Sequence, residues 1–172
     1  KATGIYTPQE AAVIYERMNV SDQSVVISQK DNHRWGTGDV ALKAIEIFDN
    51  EVKKTSSHII QQGHNMTIKM DLKNEASTEK DIVVGLAIHD AFGVNISGPN
   101  SKSNIMKSDK SVIFHIPKVQ LVPGEYRLTV AIFDEHVEKE YDHIDEAAKF
   151  TIVSDDTQQY GKINLFGKWG QT

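Results

Sequence analysis

Cysteine is absent from the 172 residues. Disulfide scaffolds, thiolate-bound zinc, iron–sulfur clusters and thiol catalysis are therefore excluded, and a reducing compartment fits. No apolar run approaches the roughly twenty residues that span a bilayer. No basic cluster exceeds Lys53-Lys54, and the balance of 19 basic and 24 acidic residues leaves a net charge of −5. Phosphate neutralisation needs clustered Lys and Arg, so nucleic acid is not an expected partner. Lys1 to Thr7 lacks the apolar centre of a signal peptide. The first residue is not Met, so the chain reads as a piece of something longer.

What is present divides in two. Residues 1–22 read as a helix. Thr7-Pro8-Gln9-Glu10 forms a capping box with Pro at the first helical position. Ala11, Ile14, Tyr15 and Met18 then mark one helical face. From residue 23 to 172 the period becomes two. Met66 to Lys73, Leu86 to Ile88, Val112 to Ile116, Tyr126 to Phe133 and Ala148 to Val153 alternate as half-buried strands do. Val40 to Phe48 is another strand, with a phase change near Ala44-Ile45 that suggests a bulge. Val25 to Ser28 and Lys162 to Phe166 are short candidates, and Asn100 to Lys110 reads as an exposed loop. Val122-Pro123-Gly124-Glu125 suits a type II turn. Seven or more short strands with polar turns argue for an all-β antiparallel β-sandwich with a short N-terminal helix.

Catalytic templates are missing. There is no phosphate-cradling loop, nucleophile elbow or paired-histidine helix, and Gly36-Thr37-Gly38 is too short for a dinucleotide fingerprint. The seven histidines, at 33, 58, 64, 89, 115, 136 and 143, show no metal-ligand spacing, so neither a metal nor a cofactor is expected. The outward positions of two strands are more informative. One offers Val83, Gly85, Ala87 and His89; the other offers Arg127, Thr129, Ala131 and Phe133. Side by side they would form a shallow trough edged by an imidazole, a guanidinium and a phenyl ring, a mixture that suits a pyranose. Lys69 and Asp71 could extend its polar lining. The competing reading is that Phe133 and Ala131 are covered by the terminal helix or by another chain. Trp35 could stack on a ligand or plug the sandwich end, with plugging favoured.

An ordered set of segments carries a resemblance: Arg34-Trp35-Gly36-Thr37-Gly38-Asp39-Val40, Ile60-Gln61-Gln62-Gly63, Val84-Gly85-Leu86-Ala87-Ile88, Asn95 to Ser101, and Leu121-Val122-Pro123-Gly124-Glu125 continuing to Ile132. Over roughly residues 30–170 the chain resembles the C-terminal domain of Wzt, the nucleotide-binding subunit of ABC transporters that export O-antigen polysaccharide. Gly4 to Tyr15 resembles the tail of that family's ATPase domain, which makes 1–22 a linker helix and 23–172 the binding domain.

The resemblance implies an immunoglobulin-like sandwich that acts without catalysis. It implies a cytoplasmic module, peripheral to the inner membrane through the transporter's membrane subunit. Such a module recognises the non-reducing end of a lipid-linked glycan and forms a homodimer by exchange of C-terminal strands, here Lys162 to Trp169. On this reading Phe133 and Trp35 stack on the sugar while His89, Arg127 and Thr129 hydrogen-bond to it. Arg127 and Lys69 are the expected counter-charges for a phosphate cap. The alternatives are a structural dimerisation or docking domain and, third, a glycan-processing enzyme.

Overall fold

The computed structural model describes residues 33–54, 58–76, 78–156, 159–168 and 170–171. The expected linker helix, the Val25–Ser28 strand and Trp169 lie outside these. Eleven strands follow in order: β1 (Arg34–Trp35), β2 (Val40–Asp49), β3 (Val52–Lys54), β4 (Ile59–Gln61), β5 (Met66–Asn74), β6 (Asp81–Asp90), β7 (Asn95–Ser97), β8 (Met106–Lys107), β9 (Val112–Ile116), β10 (Gly124–Asp134) and β11 (Glu140–Val153). There is no helix among the described residues.

The strands make two sheets. The seven-stranded sheet runs β1-β11-β10-β6-β7, with β4 also on β11 and β8 also on β6; the four-stranded sheet runs β3-β2-β5-β9. All pairings are antiparallel except β4 with β11. Alternation explains the core. Met66, Ile68 and Met70 of one sheet face Leu86, Ile88, Leu128, Val130 and Ile132 of the other, and all are buried. Each such side chain contributes on the order of 1.5–3 kcal/mol by leaving water. The predicted bulge in β2 is present, with a register shift between Leu42 and Ala44.

Three expectations need correction. β11 begins at Glu140, not at Ala148. Its inward row contains Asp142, which interrupts the apolar alternation. Residues 100–110 are not simply an exposed loop: Asn100 bridges Gly85, β8 pairs with β6, and Ser108 is fully buried. The Ser108 hydroxyl accepts from the Lys80 amide and the Asn74 side-chain amide, both at 2.9 Å, which fastens the segment down. Lys162 to Phe166 forms no strand; Ile163 makes one bridge to Leu121 of the same chain, and Asn164 N donates to Gln120 O at 2.7 Å.

One polar contact ties the sheets together. The Arg34 guanidinium meets the Asp142 carboxylate in a two-pronged pair, Nε to Oδ1 at 2.8 Å and a terminal nitrogen to Oδ2 at 2.7 Å. The same Asp142 Oδ2 accepts from Leu42 N at 2.7 Å, and Arg34 donates to Leu42 O at 3.0 Å. Leu42 sits on the unpaired edge of β2, where its backbone groups would otherwise lack partners. The pair therefore closes one edge of the sandwich. Gly36 completes it: with φ at +128°, a Cβ there would lie 2.4 Å from Tyr141 O, so only glycine lets the chain leave β1 so close to β11.

At the C-terminal end of β6, Asp90 accepts from the amides of Phe92 and Val94, both at 2.9 Å, and from the Lys162 ammonium. The Lys162 hydrogen bond foremost, then the Val94 amide, holds its carboxyl below the usual carboxylate range.

Asp142→Ala strands the Arg34 guanidinium and leaves the Leu42 amide without its acceptor, and a loss of about 3–5 kcal/mol is expected in urea denaturation; a loss below about 1 kcal/mol contradicts the clamp. Because the folded-state pKa of Asp90 is lowered, its stabilisation is present above the unfolded value of about 3.9 and fades as pH falls through the lower folded one. In acid unfolding followed by circular dichroism, Asp90→Asn should therefore lose less stability than wild type over that interval. Parallel acid limbs contradict this.

Candidate functional site

Register, not sequence distance, assembles the site. β6 and β10 are direct neighbours, pairing Arg127 with His89, Thr129 with Ala87, Ala131 with Gly85 and Phe133 with Val83. Since Leu86, Ile88, Leu128, Val130 and Ile132 point into the core, all eight alternating residues belong to the outer face. β11 continues this face. His143 pairs with Ala131, and Trp35 of β1 pairs with His143. Trp35, His143, Ala131 and Gly85 thus form one row across four strands, and Asn100 extends it beyond Gly85.

The row is low in the middle and high at the sides. Gly85, Ala87 and Ala131 present at most a methyl group. On one side, the Trp35 and His143 rings stack with centroids 3.9 Å apart and planes 20° apart. Glu140 holds both rings: Trp35 Nε1 donates to Oε2 at 2.9 Å, and His143 Nδ1 lies 2.7 Å from Oε1. His143 Nε2 also lies 3.4 Å from Asp145. Trp35 remains 47% exposed, so it does not plug the sandwich end. Plugging fails because the inward position of the two-residue β1 belongs to Arg34, which forces the next side chain outward.

Of the residues expected to form the site, His89, Arg127, Thr129, Phe133 and Trp35 share this face. Their environments differ. Arg127 donates to Glu146 Oε1 at 2.8 Å. Glu146 also pairs with Lys149 at 3.3 Å, and its carboxyl is lowered despite burial, which acts in the opposite sense. Thr129 is buried at 8% exposure. Its hydroxyl receives Glu146 N at 3.4 Å, so it shapes the irregular stretch of β11 more than it faces solvent. Phe133 is half-buried beside Val83, only 2% exposed, which closes that end of the trough. His89 is half-buried.

Lys69 is not part of this assembly. It lies on β5 of the four-stranded sheet, between β2 and β9. There its ammonium is 3.1 Å from both Glu46 and Asp71. The alternation that placed Lys69 on an outer face is correct, but alternation does not say which sheet a strand joins. Asp71 goes with it, accepting from Ser111 at 2.6 Å.

His143, Glu140, Glu146 and Asn100 join the face without having been singled out. The first three lie in the part of β11 hidden by the inward Asp142. Asn100 lay in the supposed loop. A cleft of about 200 Å³, lined by Met70, Leu86, Asn100, Asn104, Met106 and Phe114 among others, opens between the sheets, so that Asn100 borders both it and the row.

These features define an antiparallel β-sandwich domain of the immunoglobulin-like kind. The chain belongs to the Wzt C-terminal domain family, whose profile matches residues 31–165. The crystal structure of the C-terminal domain of Wzt is similar to it, at TM-score 0.71 and 18% identity over 84% of this chain and 90% of that one. Weaker likenesses are to a Bacteroides uniformis beta-glucuronidase (TM-score 0.37, 13% identity, 56% of this chain and 12% of that one). Another is to the Pseudomonas fluorescens alkylpurine DNA glycosylase AlkC bound to DNA (0.42, 13%, 67% and 30%). Neither bears on function. No curated protein sequence matches the chain significantly. Membership of the family associates the domain with ABC transporters of O-antigen. Among the described residues, no helix is long and apolar enough to cross a membrane.

Glu140→Ala removes the acceptor shared by the two rings. In a Trp169→Phe background, the near-ultraviolet circular dichroism of Trp35 should weaken, with stability lowered by about 1 kcal/mol. An unchanged indole signal contradicts the role given to Glu140.

Proposed function

We propose that the outer face of the seven-stranded sheet binds polysaccharide, and that the domain reads the non-reducing end of a lipid-linked O-antigen chain for export. The observation that carries this reading is the row Trp35–His143–Ala131–Gly85, an aromatic pair beside a floor of alanine and glycine. A pyranose presents an apolar C–H face and a rim of hydroxyls; the first suits a ring, and the second suits fixed carboxylates, imidazoles and amides. Binding is non-covalent. Each site is weak, because hydroxyls are well solvated and the trough is open.

In the assembled transporter the domain would act in the cytoplasm, beside the membrane subunit and following an ATPase domain and linker helix. A homodimer would double the sites and raise the local concentration of chain ends. In such a dimer the segment from Lys162 onward, which lies along residues 120–122 of its own chain, would make those contacts on the partner.

A docking or dimerisation role is the second reading. It is favoured by Phe92, Tyr160 and Leu165, which are 88%, 95% and 82% exposed. Self-association without glycan binding, in sedimentation and titration of the same sample, would favour it.

Two variants test the first reading. A Cβ at Gly85 meets nothing closer than 3.9 Å, so Gly85→Val should fold normally while filling the floor. Arg127→Ala removes a partly exposed group. Each should weaken O-polysaccharide binding in calorimetric titration by about tenfold or more, roughly 1.4 kcal/mol, with an unchanged melting temperature. Wild-type affinity in both removes the trough from the site.

A further inference from the structure

Resting on that reading, we infer that the glycan end held on this face is uncharged, carrying neither a phosphate nor a uronate at the contact. The reason is how the cations of the face are already used. Arg127 is bound to Glu146 at 2.8 Å, Lys149 to the same carboxylate at 3.3 Å, and Lys107 to Asp81 at 2.6 Å. Lys102, beyond the Asn100 side, donates to the backbone carbonyl of Glu135.

Arg127 gives one terminal nitrogen to Glu146, so an incoming phosphate that took its remaining donors would sit beside the Glu146 carboxylate, and one that took the same nitrogen would break the pair. Both cost affinity, the first by direct like-charge repulsion. The aromatic side is no more welcoming to an anion. Its polar groups are the Glu140 carboxylate, 2.7 Å from His143 Nδ1, and Asp145, 3.4 Å from His143 Nε2.

The same groups suit a neutral polyol. Carboxylate oxygens engaged in one ion pair retain lone pairs that accept from sugar hydroxyls. A hexose can donate to Glu146 or Glu140 without disturbing either pairing. The face is thus rich in acceptors and balanced in charge, a combination that selects hydroxyl donors over anions. From sequence alone the cap is undetermined, and Arg127 read without Glu146 is a counter-charge available to a phosphate if the cap carries one. Lys69, the second expected counter-charge, is on the other sheet.

The test uses the intact chain and defined oligosaccharides. The probes are neutral hexose oligomers, with and without a terminal O-methyl group, and the same backbones ended by a phosphomonoester or a hexuronic acid. Purified neutral and acidic O-polysaccharides complete the set. Neutral probes should bind with affinities that change less than about twofold between about 50 and about 500 mM NaCl. Anionic probes should bind about tenfold more weakly or worse. Preference for an anionic terminus, or affinity that falls steeply with salt, overturns the charge inference and leaves glycan recognition standing. Failure of every probe and polysaccharide to bind overturns the underlying reading, and the inference with it. Glu146→Gln provides an independent check. Freed of its partner, Arg127 should raise affinity for the phosphate-ended probe at least about fivefold. No gain for the phosphate-ended probe contradicts the exclusion by this pair.

Discussion

Between the two sheets, the guanidinium of Arg34 and the carboxylate of Asp142 lie two-pronged against each other and share the backbone of Leu42. This pair is costly to form, since two charges leave water, and it is costly to break, since either survivor would be stranded. Its importance is directional. β1 has only two residues, so the inward placement of Arg34 forces Trp35 outward. On β11, the inward placement of Asp142 likewise sends His143 outward, next to Trp35. An interaction buried between the layers thereby sets the aromatic side of the proposed site.

The rest of the face follows from the register of β6 and β10. A slip of one residue would put Gly85, Ala87 and Ala131 into the core and Leu86, Val130 and Ile132 outside. The buried rows forbid that slip. The trough is therefore a consequence of packing, and its small residues need not contribute to stability themselves. The layer beneath is constrained by burial, while the outer row is not.

Much of the fold was legible because burial imposes alternation. Met66 to Lys73 and Tyr126 to Phe133 announce themselves as strands, and Ala44-Ile45 betrays the β2 bulge. The adjacency of β6 and β10 was only a conjecture, since strand pairing is a non-local choice that alternation does not encode. Lys69 shows the consequence: the outer face was right and the sheet was wrong. His143 and Glu140 were missed because Asp142 occupies a core-facing position where a hydrophobic residue would have signalled a strand. Its partner Arg34 lies 108 residues away, beyond any local pattern. For the same reason the sequence leaves Trp35 open between plugging, the favoured reading, and stacking on a ligand, its parity being set by a contact that only the folded chain displays.

The most direct measurement is a nitrogen-15 and indole chemical-shift map of the chain titrated with its O-polysaccharide repeat. Ligand binding at the proposed face predicts that the largest shifts cluster on the Trp35 indole and on the amides of Gly85, Ala87, Ala131 and His143. Shifts gathered instead on β5 and β9, or around the cleft near Met106 and Phe114, with that row unmoved, would contradict it.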